Sequence, residues 1–139
     1  EFKEAADEKG VVLKLEAPQT PIILNIDSEK MTIALSNLID NAIKYTTPGG
    51  EVAVRISSSA KNRTAEIAVK DTGIGIPREQ IHRLFSKFFR ADNAMLLETT
   101  GNGLGLYVAK NIVERHGGEI KVESVESKGT TFAVTLPVK

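Results

Sequence analysis

The 139-residue chain contains no cysteine and no tryptophan. Without thiols there is neither a disulfide framework nor a thiolate metal site, which suits a reducing compartment. Long apolar runs are also missing: none approaches the roughly 20 residues that cross a bilayer, so no direct membrane contact is expected. Nor is there an excess of either charge. Lys plus Arg and Asp plus Glu number 18 each, and a net charge of zero gives no basic footprint for nucleic acid. No secretory leader is expected, and the expected location is cytoplasmic, whether or not a longer parent carries an anchor. The chain opens on Glu1-Phe2 rather than methionine, and it reads as a piece of something longer, with those two residues a candidate vector remnant. What is present is 41% hydrophobic and 26% charged residues, enough for one domain that buries its own core.

Periodicity places the elements. Residues 1–9 are rich in helix formers, with Phe2, Ala5, Ala6 and Lys9 as a short stripe that Gly10 ends. Val11 to Glu16 alternates as a strand, Pro18 and Pro21 mark a loop, and Ile22 to Ile26 is predicted to be a second strand, giving a hairpin-like start. Asp27 or Ser28 caps a helix from about Glu29 to Tyr45, whose Met31, Leu35, Leu38, Ile39, Ala42 and Ile43 share one face. Glu51 to Ser57 and Thr64 to Lys70 read as a hairpin. A short helix follows Pro77, and residues 91–100 lack a period and read as a mobile segment. A helix opens near Gly105 and stops at Gly117-Gly118, and Glu119 to Ser124 with Thr130 to Leu136 form a closing hairpin.

Three features carry chemistry. Asp71-Thr72-Gly73-Ile74-Gly75-Ile76-Pro77 sets a carboxylate and two glycines where a half-buried strand ends. Glycine there permits positive φ and close approach to a ligand, and proline suits a helix's first turn; a plain strand-to-helix turn is the alternative. Asn37, Asn41 and Lys44 form a narrow polar stripe beside the apolar face of one helix, with Tyr45 at its edge. Asparagine is a mediocre helix former, so such a stripe suggests that these side chains meet something; a solvated face is the other reading. Gly101, Gly103 and Gly105 precede a helix, where free backbone NH groups and the helix dipole suit phosphates. The spacing matches neither the dinucleotide fingerprint nor a P-loop.

Four motifs stand in order over nearly the whole chain: Asn37-Leu38-Ile39-Asp40-Asn41-Ala42-Ile43-Lys44-Tyr45-Thr46, the Asp71–Pro77 stretch, Phe85-Ser86-Lys87-Phe88-Phe89-Arg90, and Gly101-Asn102-Gly103-Leu104-Gly105-Leu106. Together they closely resemble the ATP-binding catalytic domain of sensor histidine kinases, in the GHKL superfamily that also holds gyrase-type ATPases and Hsp-class chaperones. The resemblance implies a Bergerat-type two-layer α/β (α+β) sandwich, a mixed and mainly antiparallel sheet with three helices on one face, and the element order read from periodicity, β-β-α-β-β-α-α-β-β, agrees with it. Residues 1–9 would be the tail of a helix arriving from a phosphoacceptor domain, and 10–139 the ATP-binding catalytic domain.

By the same resemblance, Asp71 accepts a hydrogen bond from the adenine amino group, and Gly73 and Gly75 leave room for the base and an ordered water. Asn41 ligates Mg²⁺ through its amide oxygen, with Asn37 assisting. Lys44 and Arg90 neutralise phosphate charge, and Tyr45 lines the pocket. Gly101, Gly103, Leu104 and Gly105 form the phosphate loop, Leu106 and Ile76 lie against the nucleotide, and Thr130 or Thr131 reaches the adenine end. The implied activity is protein-histidine kinase: Mg-ATP donates its γ-phosphate to a histidine on a separate dimeric helical domain, and thence to an aspartate of a response regulator. Gyrase-like relatives that hydrolyse ATP have a glutamate where this chain has Asn37, and an amide cannot act as a general base. The rivals are an ATP-hydrolysing clamp and a nucleotide-binding regulatory module. The isolated domain is expected to be monomeric.

His116 lies at a helix end, suited to the dipole, and His82 on a surface helix; neither has the long helical setting of a phosphoacceptor. Lys87 is a candidate to supplement Arg90 at the phosphates, with a solvated surface lysine the preferred reading. Met95-Leu96-Leu97 is an apolar patch read either as packing on the closed pocket or as docking against the absent helical domain.

Overall fold

The computed structural model describes residues 2–86 and 105–138. The chain runs through α1 (Phe2–Lys9), β1 (Val12–Glu16), α2 (Ser28–Lys44), β2 (Glu51–Ser59), β3 (Thr64–Asp71), a 3₁₀ helix (Arg78–Arg83), α3 (Gly105–Arg115), β4 (Glu119–Val125) and β5 (Gly129–Pro137). The five strands form one sheet in the order β1-β2-β3-β5-β4, with β1 parallel to β2 and the other pairs antiparallel.

The apolar alternation of the strands becomes continuous rows on the sheet's helix-facing side. Ile67, Val134 and Ile120 stand side by side across β3, β5 and β4, and so do Val69, Phe132 and Val122. Leu38, Ala34, Met31 and Ala42 of α2 and Ala109 and Val113 of α3 are buried in the same core cluster. Ala6 of α1 is fully buried there too, so the first helix packs as part of this core. On the opposite side Arg55 meets Glu16 at 2.8 Å and Lys14 meets Glu51 at 2.8 Å. These exposed pairs lace β1 to β2 but add little stability.

Two expectations need correction. Ile22 to Ile26 is not a strand, because residues 17–27 carry neither helix nor strand, and β1 pairs in parallel with β2 across α2 rather than in a hairpin. Pro18 and Pro21 cannot donate to a ladder. Of the run that follows, Leu24 packs on the core while Ile23 stays 80% exposed. The segment after Pro77 is a 3₁₀ helix rather than an α-helix. Just beyond it Leu84 is buried, and Phe85 meets the Phe132 ring edge-on with centroids 6.1 Å apart. β2 also runs to Ser59, past the expected end, since ladder hydrogen bonds to β3 do not require apolar side chains.

Helix α2 is fixed at both ends. Asp27 caps it, accepting from the Lys30 NH at 3.1 Å. At the other end the Lys9 ammonium donates to the carbonyls of Ile43 and Lys44, placing a cation at the negative end of the helix dipole. Helix α3 is fastened alongside at two points. The Asn37 amide NH₂ donates to the Gly105 carbonyl at 3.1 Å. His116 accepts from the Asp27 NH at 3.0 Å through Nε2 and holds the Ile112 carbonyl at 2.8 Å through Nδ1. With Nε2 accepting, Nδ1 is the nitrogen that donates.

Both ring nitrogens of His116 are thus engaged, as its place at a helix end suggests, in a structural role rather than as a phosphate acceptor. Replacing His116 with phenylalanine is expected to lower stability by about 1 kcal/mol and to leave ATP affinity unchanged; thermal unfolding and calorimetric titration check the two parts.

Candidate functional site

The third row across the sheet breaks the apolar pattern. Where Ile67-Val134-Ile120 and Val69-Phe132-Val122 are hydrocarbon, the next residues on the same face are Asp71, Thr130 and Ser124. Asp71 and Thr130 are each only 7% exposed. A buried carboxylate needs partners, and Asp71 has them: its Oδ1 accepts from the Gly73 NH at 2.9 Å and the Thr130 NH at 3.2 Å. Burial pushes the Asp71 carboxyl above its ordinary value, and these two NH groups pull it partly back. Because one oxygen is committed to the backbone, the group is held in a fixed orientation.

The segment after Asp71 is tied on two sides. The Ile74 NH donates to the Tyr45 carbonyl at 3.1 Å, at the C-terminal cap of α2. On the other side the Ser127 NH donates to the Ile74 carbonyl, at 2.6 Å, and the Ile76 NH donates to Ser124 Oγ at 2.9 Å. The two glycines make these approaches possible. A Cβ on Gly73 would collide with the Tyr45 carbonyl, and one on Gly75 with the Val125 carbonyl. Gly75 also has φ +68°, a value that glycine permits, while Gly73 does not adopt a positive φ. The space beside both glycines is occupied by the protein's own backbone, so their first role is to let three segments meet under Asp71.

The helix stripe touches the start of α3 through Asn37. Asn37 and Asn41 are one turn apart on α2, and Asn37 reaches Gly105. Among the described residues, the atoms nearest to a Cβ on Gly105 would be those of Asn37, at an ordinary 3.7–3.8 Å. Tyr45 ends α2 beside the Asp71 segment, and the Lys44 carbonyl is taken by Lys9. Ile76 and Leu106 pack against the core cluster. Of the two threonines, Thr130 lies opposite Asp71, whereas Thr131 lies opposite Lys70. Arg90, Gly101, Gly103 and Leu104, with Lys87 and the Met95-Leu96-Leu97 patch, lie outside the described residues.

The sequence reading missed two residues. Ser124 stands where the inward alternation Ile120, Val122 calls for a third apolar side chain, and that interruption was the available signal. Lys9, read only as part of a short helical stripe, secures the end of α2 that carries Lys44 and Tyr45. Among the described residues no group of three or more His, Cys, Asp or Glu could hold a metal, and no helix is long and apolar enough to cross a membrane.

The sequence pattern described as "Histidine kinase-, DNA gyrase B-, and HSP90-like ATPase" matches residues 26–139. The chain belongs to this family. Among relatives of this ATPase domain, "Sensor histidine kinase WalK" of Bacillus subtilis (strain 168) is 40% identical over 136 residues, 98% of this chain and 22% of that protein. "Sensor protein SrrB" of Staphylococcus aureus (strain NCTC 8325 / PS 47) is 38% identical over 137 residues, 98% of this chain and 23% of that protein. The chain therefore spans about a fifth of the length of these curated relatives. Of solved structures, "Mycobacterial sensor histidine kinase MprB" superposes with a TM-score of 0.84 at 30% identity, covering 99% of this chain and 91% of that one. The nucleotide-free catalytic domain of histidine kinase ThkA gives 0.83 at 28% identity, covering 99% and 85%. The ATPase-domain fold, a mixed five-stranded sheet backed by helices, is that of histidine kinase catalytic domains.

Proposed function

We propose that this ATPase domain binds Mg-ATP at the Asp71 end of the sheet and donates the γ-phosphate to a histidine of a separate helical phosphoacceptor domain, from which it passes to a response regulator. The observation that carries this is Asp71, a nearly buried carboxylate with one oxygen fixed by the Gly73 and Thr130 NH groups. Its other oxygen is the acceptor that would take an N–H of the adenine amino group.

On this reading Tyr45 and Ile76 border the base, and Lys44 and Arg90 offset phosphate charge. Gly101, Gly103, Leu104 and Gly105 line the phosphates ahead of α3, with Leu106 behind them. Mg²⁺ fits the donor set: it takes few protein oxygens and otherwise phosphate and water. Asn41 offers an amide oxygen, and Asn37, whose NH₂ donates to the Gly105 carbonyl, keeps its own amide oxygen as a second acceptor. Bound there, the cation would neutralise the triphosphate. The domain's work is positioning and charge neutralisation, and no group of Asn37 can activate water.

Asn41→Ala is expected to remove the Mg²⁺ dependence of ATP affinity while keeping much of the affinity itself; titration with and without Mg²⁺ reads this. The proposal as a whole is tested by adding γ-labelled ATP to the chain mixed with a histidine-bearing helical domain of a related kinase. Label on that histidine, absent when the chain is omitted, is the expected result. Rapid release of inorganic phosphate by the chain alone would favour an ATP-hydrolysing clamp instead.

A further inference from the structure

We infer that Ser124 sets nucleotide specificity by fixing the Thr130 hydroxyl as a hydrogen-bond acceptor, so that Asp71 and Thr130 together present two acceptors to a ligand's amino group. The inference rests on the nucleotide-site reading above. It comes from counting protons along the polar row. A serine hydroxyl has one proton and two lone pairs. Ser124 Oγ lies 2.9 Å from the Ile76 NH, 3.1 Å from the Gly129 carbonyl and 2.8 Å from Thr130 Oγ1.

The NH can only donate, so it takes one lone pair. The carbonyl can only accept, so it takes the proton. Thr130 must then donate into the remaining lone pair, which is the one arrangement that satisfies all three contacts at once. With its proton used there, Thr130 Oγ1 has only lone pairs left to offer. Asp71 likewise offers only lone pairs, and its Oδ1 accepts from the NH of the same Thr130.

Register puts Asp71, Thr130 and Ser124 on one face, side by side. An exocyclic amino group carries two N–H bonds and can satisfy two neighbouring acceptors. A carbonyl in the same place would set lone pairs against lone pairs, and rejection of that kind is how a site excludes a near-isostere. Ser124 thereby makes the pocket select a 6-amino purine over a 6-oxo purine without touching the ligand. Without its hydroxyl, Thr130 could turn and donate, and a 6-oxo group would be tolerated.

The test is calorimetric titration with ATP and with inosine triphosphate, for wild type, Ser124→Ala, Ser124→Thr, Thr130→Val and the Ser124→Ala/Thr130→Val double variant. Ser124→Ala should narrow the ATP preference by roughly three- to tenfold, the worth of one hydrogen bond, and Ser124→Thr should restore it. Thr130→Val should narrow it too, and adding Ser124→Ala to that background should change the ratio no further. Equal loss of both affinities in Ser124→Ala would mean that the serine only holds the Ile76 NH, and would overturn the inference. A ratio shift that persists in the Thr130→Val background would overturn it as well. If Ser124→Ala does not fold, an unchanged ratio in Thr130→Val alone has the same force. Wild type that binds neither nucleotide would instead refute the nucleotide-site reading itself.

Discussion

Replacing Asp71 with asparagine is expected to weaken ATP binding roughly 10- to 100-fold, as for a hydrogen bond to a charged group, while leaving the domain at least as stable as wild type near neutral pH. The amide oxygen can still accept from the Gly73 and Thr130 NH groups, so the local structure survives. The amide NH₂ then stands where the second carboxylate oxygen was, and presents a donor to a ligand amino group that needs an acceptor. Stability moves the other way. Burial raises the Asp71 carboxyl above 3.8, so the folded chain keeps that proton to higher pH than the unfolded chain does. Its contribution is therefore lost as pH rises from 3.8 through the folded value. Asparagine does not titrate, so the melting-temperature advantage of the variant should open across that window and close below it. A variant that loses affinity and stability together would show Asp71 to be a structural residue.

Gly75→Ala is expected to cost about 3 kcal/mol of stability, from a left-handed conformation and a steric clash together. Gly75 has φ +68°, and an added Cβ would meet the Val125 carbonyl and lie 2.7 Å from Glu126 Cα, both of them backbone. Neither can yield cheaply, because the Val125 carbonyl accepts from the Lys128 NH at 3.0 Å and the Ser127 NH is bound to Ile74. The control is Gly49→Ala. Gly49 has φ +91° with nothing within 4 Å of its Cβ position, so only the conformational cost of about 1 kcal/mol applies there. Denaturant unfolding of both variants measures the difference, and equal losses would remove the steric part.

The pattern of the chain carried most of the architecture. The period of α2, the two antiparallel hairpins and the inward alternation of β3 and β5 are local properties, visible in the order of residues. The partner of β1 is not local: whether Val12 to Glu16 pairs with the next segment or with Glu51 to Arg55 depends on α2 packing over the sheet and on two prolines withdrawing residues 17–27. The same division runs through the site. Asp71 could be singled out as a carboxylate at a strand's mouth. What Gly73 and Gly75 make room for could not, because a missing side chain does not say what fills its place, and here backbone from α2's end and the β4–β5 turn does. Ser124 announces itself only once Asp71 and Thr130 are known to be its neighbours.

The most direct measurement is calorimetric titration of wild type with ATP and GTP in the presence of Mg²⁺, with the same samples assayed for released phosphate. Saturable ATP binding, little or no binding of GTP, and negligible phosphate release are expected of an adenine site built on Asp71 in the histidine kinase domain proposed above. Equal affinity for ATP and GTP, or no binding of either, would contradict it.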